Sequence, residues 1–257
     1  MSEILLSREG AVTTVIINRP QVRNAIGPGL IAELTRAFTA LGDDDSRVLV
    51  LTGAGGSFSA GADVEWMRAS RDLSEQQNVA DATAAAAMFS SIDSCPKPVI
   101  ARVNGHALGG GAGLVACADV AISVDTATFG FTEARLGLIP AMISPYVLRA
   151  VGPGRARELF VSGRRFGAAE ALEFSLVHRV VTADELDAAV ASTAAEIARC
   201  GPVAIAESKR LVRDATMSLT LPDLAQRIAA VRSAPEGQEG LTAFLEKRDP
   251  SWTSDDS

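Results

Sequence analysis

Three consecutive glycines placed directly after a short apolar run are the strongest constraint on what this chain can fold into. Pro98 to Val103 leads into Asn104-Gly105-His106-Ala107-Leu108-Gly109-Gly110-Gly111-Ala112-Gly113, and Val120 to Val124 is apolar again. Glycine loses the most backbone freedom on folding, so such a cluster belongs where another backbone, or a ligand, must come close to the main chain. A helix opening there would aim its unpaired N–H groups at that visitor. Gly111 to Ala116 also fits the dinucleotide-binding pattern GxGxxA. The interval before Val120, however, leaves little more than two helical turns, and a strand–helix–strand crossover needs a longer helix. Glycine-mediated packing without a nucleotide is the preferred reading.

A second glycine-rich loop, Gly53 to Asp63, also follows an apolar run, Arg47 to Thr52. Asp63 is placed to cap a short helix through Val64, Glu65, Trp66 and Met67. Before this loop, Ile4 to Ser7 and Val12 to Asn18 read as a hairpin, and Pro28 opens a helix whose apolar positions are Leu30, Ile31, Leu34, Phe38 and Leu41. Ser74 to Ser91 reads as a long helix. Phe129 to Pro140 is a largely apolar segment that carries one acid, Glu133, and Ser144-Pro145 opens a further helix. From Pro153 onward the pattern is helical except for a strand at Val177 to Val181. The expectation is an α/β chain of repeated strand and helix units with a helical C-terminal region.

At 257 residues with 47% hydrophobic and 21% charged residues, the chain can bury a large core. A net charge of −7 argues against broad nucleic-acid binding, which needs a basic footprint. Cys95, Cys117 and Cys200 are far apart and form no CxxC, so neither a disulfide framework nor a metal site is expected. No basic leader and no membrane-length apolar run is legible, and a cytoplasmic location fits. Residues 253–257 read as a disordered tail.

Phe58-Ser59-Ala60-Gly61-Ala62-Asp63, Ala107-Leu108-Gly109-Gly110-Gly111, Phe129-Gly130 to Glu133 and Gly137-Leu138-Ile139-Pro140, in that order, closely resemble the crotonase (enoyl-CoA hydratase/isomerase) superfamily. Asn18-Arg19-Pro20, Asn24-Ala25, Ser162-Gly163-Arg164, Ala169-Glu170-Ala171 and Phe244 to Arg248 extend the likeness over nearly the whole chain. The resemblance implies a crotonase-like α/β fold of β-β-α units. It implies a core over 1–195 that holds the acyl-CoA site, and a helical oligomerisation region over 196–252. It also implies a homotrimer or a dimer of trimers.

The family's substrates are acyl-CoA thioesters, so coenzyme A would arrive as part of the substrate and no further cofactor is implied. Its reactions put negative charge on the thioester oxygen, which two backbone N–H donors can hold without reorganising. Matched by motif, those donors would be Ala60 and Gly110, and Glu133 would transfer the proton. Gly61, Ala62 and Asp63 would line the substrate site beside them. Arg23 would meet the CoA phosphates, while Phe244 and Lys247 would reach a neighbouring subunit's CoA. Apolar Leu136, Leu138 and Ile139 would raise the Glu133 pKa toward neutrality. Trp66 and Met67 could line the acyl pocket or simply pack, and His106 reads as supporting the loop.

Two departures qualify the likeness. Two-base hydratases of the family carry a second glutamate where this chain has Gly113, which weakens hydration and favours isomerisation on one base. Ala141 to Val147 replaces the usual Thr-Gln-containing segment and, with Asp63 to Met67, is similar to bacterial methylglutaconyl-CoA hydratase-like proteins. Hydratase is the first expectation, enoyl-CoA isomerase the alternative, and a catalytically idle CoA-binding scaffold the rival from outside catalysis.

Overall fold

The computed structural model describes residues 2–215 and 220–253. Its chain is a succession of two strands followed by helix. Strands β1 (Ile4–Glu9) and β2 (Val12–Ile17) form the expected antiparallel hairpin, and α1 (Pro28–Gly42) follows. Next come β3 (Val48–Gly53), β4 (Ser57–Ser59), α2 (Val64–Ser70) and α3 (Glu75–Asp93). The third unit is β5 (Val99–Val103), β6 (His106–Leu108) and α4 (Gly110–Cys117). The fourth is β7 (Val120–Val124), β8 (Thr128–Gly130), a 3-10 turn at Glu133–Leu136, and α5 (Ser144–Ser162), which is kinked at Gly152. The core closes with β9 (Arg165–Gly167), α6 (Ala168–Glu173), β10 (Arg179–Val181) and α7 (Leu186–Ala198).

The hairpin β1-β2, the first strands β3, β5 and β7 of the next three units, and β10 make one sheet in the order β1-β2-β3-β5-β7-β10, while the second strands β4, β6 and β8 join β9 in another, β4-β6-β8-β9. Every pair from β2 to β10 in the large sheet is parallel, and β3 is buried along its whole length. That suits its unbroken apolar run Val48 to Leu51, because a parallel sheet is covered on both faces. Helix α1 turns Leu30, Ile31, Leu34, Ala37, Phe38 and Leu41 into the core. Helix α3 begins in a reciprocal Ser74–Gln77 cap and buries only Ala85, Met88, Phe89 and Ile92, all in its second half.

The small sheet is what gathers the functional loops. Strands β4, β6 and β8 run parallel side by side, so their C-terminal ends lie together. The chain leaves those ends at Ala60, Gly109 and Phe131. Residues far apart in sequence are thereby delivered to one edge. One expectation is overturned here. Strands β5 and β7 are parallel neighbours after all, joined across a helix of eight residues. Strand β6 lengthens the connection enough for the short α4 to complete the crossover.

The C-terminal part comprises α8 (Pro202–Ala215), α9 (Leu221–Ser233), α10 (Pro235–Glu246) and a 3-10 turn at Ser251–Thr253. The expected boundary at 195/196 falls inside α7, and the chain first leaves helix at Arg199 to Gly201. Thr253, expected in a disordered tail, lies in the closing turn, while 254–257 lie outside the described residues. Among the described residues no helix is long and apolar enough to cross a membrane.

Arg47, at the edge of β3, ties this part to the core by donating to the carbonyls of Ala198 (3.0 Å), Cys200 (2.8 Å) and Trp252 (3.0 Å). Lys209 reaches the Lys97 carbonyl at 2.6 Å and Asp119 at 2.7 Å. Arg47→Ala is expected to lower stability by about 2 kcal/mol, less than a sum of three charge-assisted bonds because water replaces part of them. Urea unfolding measures this, and an unchanged midpoint would show that the three carbonyls do not need the guanidinium.

Candidate active site

The loop after β3 is held by a polar clasp from the segment before α1. Asn24 is fully buried in a left-handed conformation and donates to the carbonyls of Ala54 (2.8 Å) and Ser57 (2.7 Å). Its own side-chain oxygen accepts from the Arg19 N–H at 3.0 Å. Ser59 Oγ returns a bond to the Asn24 carbonyl at 2.8 Å. Arg19 then donates to the Ala25 carbonyl (2.5 Å) and to Asp63 (2.8 Å). Asn24, Arg19 and Ser59 are therefore positioning residues. Their signal in the sequence was the motif around Asn18-Arg19-Pro20 and Asn24, without an assigned role.

This clasp corrects the choice of donor. The Ala60 N–H is already bonded to the Arg23 carbonyl at 2.9 Å, so it is not free to meet a thioester. Two residues on, Ala62 pairs with Ile26 in an isolated parallel bridge, in which the Ile26 N–H bonds the Gly61 carbonyl (2.7 Å) and the Asp63 N–H bonds the Ile26 carbonyl (2.9 Å). In a parallel pairing the flanking residues make the bonds, so the N–H of Ala62 itself faces the other way. Among the described residues it has no acceptor, and Ala62 is exposed.

The second loop meets the first almost atom to atom. Gly61 has φ +88°, and a Cβ there would lie 2.7 Å from the Leu108 carbonyl oxygen. Gly109 has φ +50°, and its N–H is bonded to the Gly130 carbonyl at 2.8 Å. Gly110 is the first residue of α4, so its N–H has no acceptor within the helix and points out along the positive end of the helix dipole. The remaining glycines serve packing. A Cβ on Gly111 would lie 2.4 Å from the Ser59 carbonyl, and one on Gly113 would lie 2.2 Å from Ile143 Cγ2. Both sit buried inside α4, against Ser59 and Ile143.

Glu133 opens the 3-10 turn after β8, and its Oε1 lies 3.3 Å from where a Cβ on Gly109 would be. Its Oε2 is buried without a hydrogen-bond partner among the described residues. Burial raises the carboxyl above its ordinary value, against a small opposing pull from its own backbone N–H. The direction and its cause, burial, are as expected, while Leu136, Leu138 and Ile139 are themselves 61%, 55% and 77% exposed.

Other expected site residues fall elsewhere. Asp63 is buried with both oxygens committed, one capping α2 at the Glu65 N–H (2.8 Å) and the other paired with Arg19. Burial alone would push its pKa up, yet those partners hold it below the usual value. It positions the loop, and is not available as a direct substrate contact. Arg23 and His106 border a cleft of about 370 Å³ with Pro20, Ala54, Gly56 and Ser57. Trp66 donates its ring N–H to Asp81 at 2.8 Å, clasping α2 to α3. Phe244 is 81% exposed on α10, which packs on α8 and α9, and Lys247 ends that helix in a left-handed conformation. The structure does not bring these two to the Glu133 group.

The chain is similar to known proteins over nearly its whole length. The sequence model described as Enoyl-CoA hydratase/isomerase matches residues 7–255. A protein named "Probable enoyl-CoA hydratase echA8" from Mycobacterium tuberculosis is 38% identical over 257 residues, covering 97% of this chain and 97% of that protein. The crotonyl-CoA hydratase of Syntrophomonas wolfei is 36% identical, covering 98% of each. The crystal structure of an enoyl-CoA hydratase from Shewanella pealeana superposes with a TM-score of 0.93 at 37% identity, over 97% of this chain and 96% of that one.

Proposed function

Because the chain belongs to the enoyl-CoA hydratase/isomerase family, we propose that it is an enoyl-CoA hydratase-type enzyme in which Ala62 and Gly110 hold the thioester oxygen and Glu133 moves the proton. The observation that carries this reading is a pair of unengaged backbone N–H groups on two loops that touch at Gly61 and Leu108–Gly109, with one buried carboxyl without a partner next to Gly109.

In hydration, Glu133 takes a proton from water as the oxygen bonds to Cβ of the 2-enoyl group. The electron pair of the double bond moves onto the thioester oxygen, which the Ala62 and Gly110 N–H groups stabilise. Glu133 then returns the proton to Cα. Fixed donors of this kind need no reorganisation, and one of them is commonly worth about 3 kcal/mol. Ala60 and Gly61 border the same loop, and the Arg23 and His106 cleft is suited to the CoA phosphates. Phe244 and Lys247 would serve the site of a neighbouring copy in a trimer or a pair of trimers, with 196–252 supplying contacts.

A second reading, isomerisation, is favoured by Gly113, which offers no second acid. Glu133 would remove the Cα proton of a 3-enoyl thioester and deliver it to C4 of the dienolate. Incubation with 2-enoyl-CoA and with 3-enoyl-CoA, following the conjugated thioester absorbance, separates the two. Loss of signal from the first supports hydration, and gain from the second supports isomerisation. Turnover of neither would favour the idle scaffold. Both reactions begin with ionised Glu133, so kcat/KM is expected to fall on acidification with a midpoint above the ordinary glutamate value near 4.3. A midpoint at or below that value would contradict the buried carboxyl as the base.

A further inference from the structure

Gly113 and Ile143, the latter within the Ala141 to Val147 segment, are in direct contact. A Cβ on Gly113 would lie 2.2 Å from Ile143 Cγ2, 2.8 Å from Ile143 Cβ and 3.2 Å from Phe89 Cε1. Ile143 is 2% exposed. It is also the N-cap of α5, and its carbonyl accepts from the Val147 N–H at 3.1 Å, so it is fixed by the helix it starts. One helical turn before Gly113 on α4, a Cβ on Gly110 would face Ile26 Cδ1 at 3.0 Å and Phe89 Cζ at 3.6 Å. The face of α4 that carries one thioester donor is therefore lined by Ile26, Phe89 and Ile143, three hydrocarbon side chains.

We infer that Ile143 is a specificity-determining residue, which seals the Gly110–Gly113 face of α4 with hydrocarbon and thereby confines proton transfer to Glu133. A water held beside a reacting carbon needs two or more polar partners, and this face supplies none from its side chains. Water is then supplied to the thioester from the Glu133 side, and the balance between water addition and proton migration is set by how tightly Ile143 fills the space at Gly113. The inference rests on the proposed function, since it assigns the outcome at that same site.

The contact is tested by thermal unfolding of Gly113→Ala, Ile143→Ala and the double variant. Alanine for glycine inside a helix ordinarily raises stability. Here Gly113→Ala is expected to lower Tm by roughly 3–10 °C through overpacking, and to lower it little or not at all when Ile143 is already alanine. Additive shifts would overturn the contact. The specificity is tested with Gly113→Glu/Ile143→Ala, which places a carboxylate in the vacated space. Its ratio of 2-enoyl-CoA hydration to 3-enoyl-CoA isomerisation is expected to exceed that of Ile143→Ala at least about tenfold, within the range of a general acid or base. A folded double variant with an unchanged ratio would overturn the role of Ile143, while Glu133-dependent turnover by the unaltered protein left the proposed function standing. No turnover by the unaltered protein would overturn both.

Discussion

Replacement of Glu133 by glutamine is expected to lower kcat by about 10²–10⁴-fold, the usual contribution of a positioned acid–base group. KM should stay within about threefold, because the amide has the shape of the carboxyl and the loss falls on the transition state. A second readout follows from the buried, unpartnered Oε2. The folded-state pKa of Glu133 is raised by burial, so above the unfolded value the folded protein binds more protons than the unfolded chain. Stability from this group is thus full at pH below the ordinary glutamate value and is lost as pH rises through the folded-state value. Glu133→Gln has no such loss. The variant should therefore gain in Tm relative to the parent as pH rises through that window. Steady-state kinetics with thermal unfolding at several pH values checks both parts, and retention of full kcat would remove Glu133 from the mechanism.

The parts of this site legible in the sequence were those that depend on residue type, and the parts that were not depend on hydrogen-bond partners. The two glycine loops stood out because a run of glycines is unusual in itself, and Glu133 because the Phe129 to Pro140 segment resembles the crotonase motif. Strands β4, β6, β8 and β9 are three residues each, too short for any alternation to show, yet they bring the loops together. Ala60 was matched as a donor although its N–H is taken, for the same kind of reason. Ala60 and Ala62 have the same side chain, and only the Arg23 carbonyl on one N–H and the Ile26 bridge around the other tell them apart. Asp63 was placed beside the substrate by motif match and read as the cap of α2 from the sequence, and its oxygens are taken by Arg19 and by that cap.

Gly61→Ala is expected to cost the protein both stability and activity. Two separable costs meet at this residue. Its φ of +88° is strained for any side chain, and the added Cβ would fall 2.7 Å from the Leu108 carbonyl oxygen, a backbone atom that cannot rotate away. The loop bearing Ala62 must move away from the turn bearing Gly110, which separates the two N–H groups proposed to hold the thioester oxygen. Loss of a single such donor costs on the order of 10²–10³ in kcat, and that is the expected loss here. Gly10→Ala isolates the strain from the displacement, because Gly10 also has positive φ, +53°, but nothing lies within 4 Å of the added carbon. It should lower stability by about 1–2 kcal/mol and leave kcat unchanged. Steady-state kinetics and urea unfolding of both variants decide the matter. If Gly61→Ala lost only stability, as Gly10→Ala should, the contact between the two loops would be structural, and Ala62 and Gly110 would not act together on a thioester oxygen.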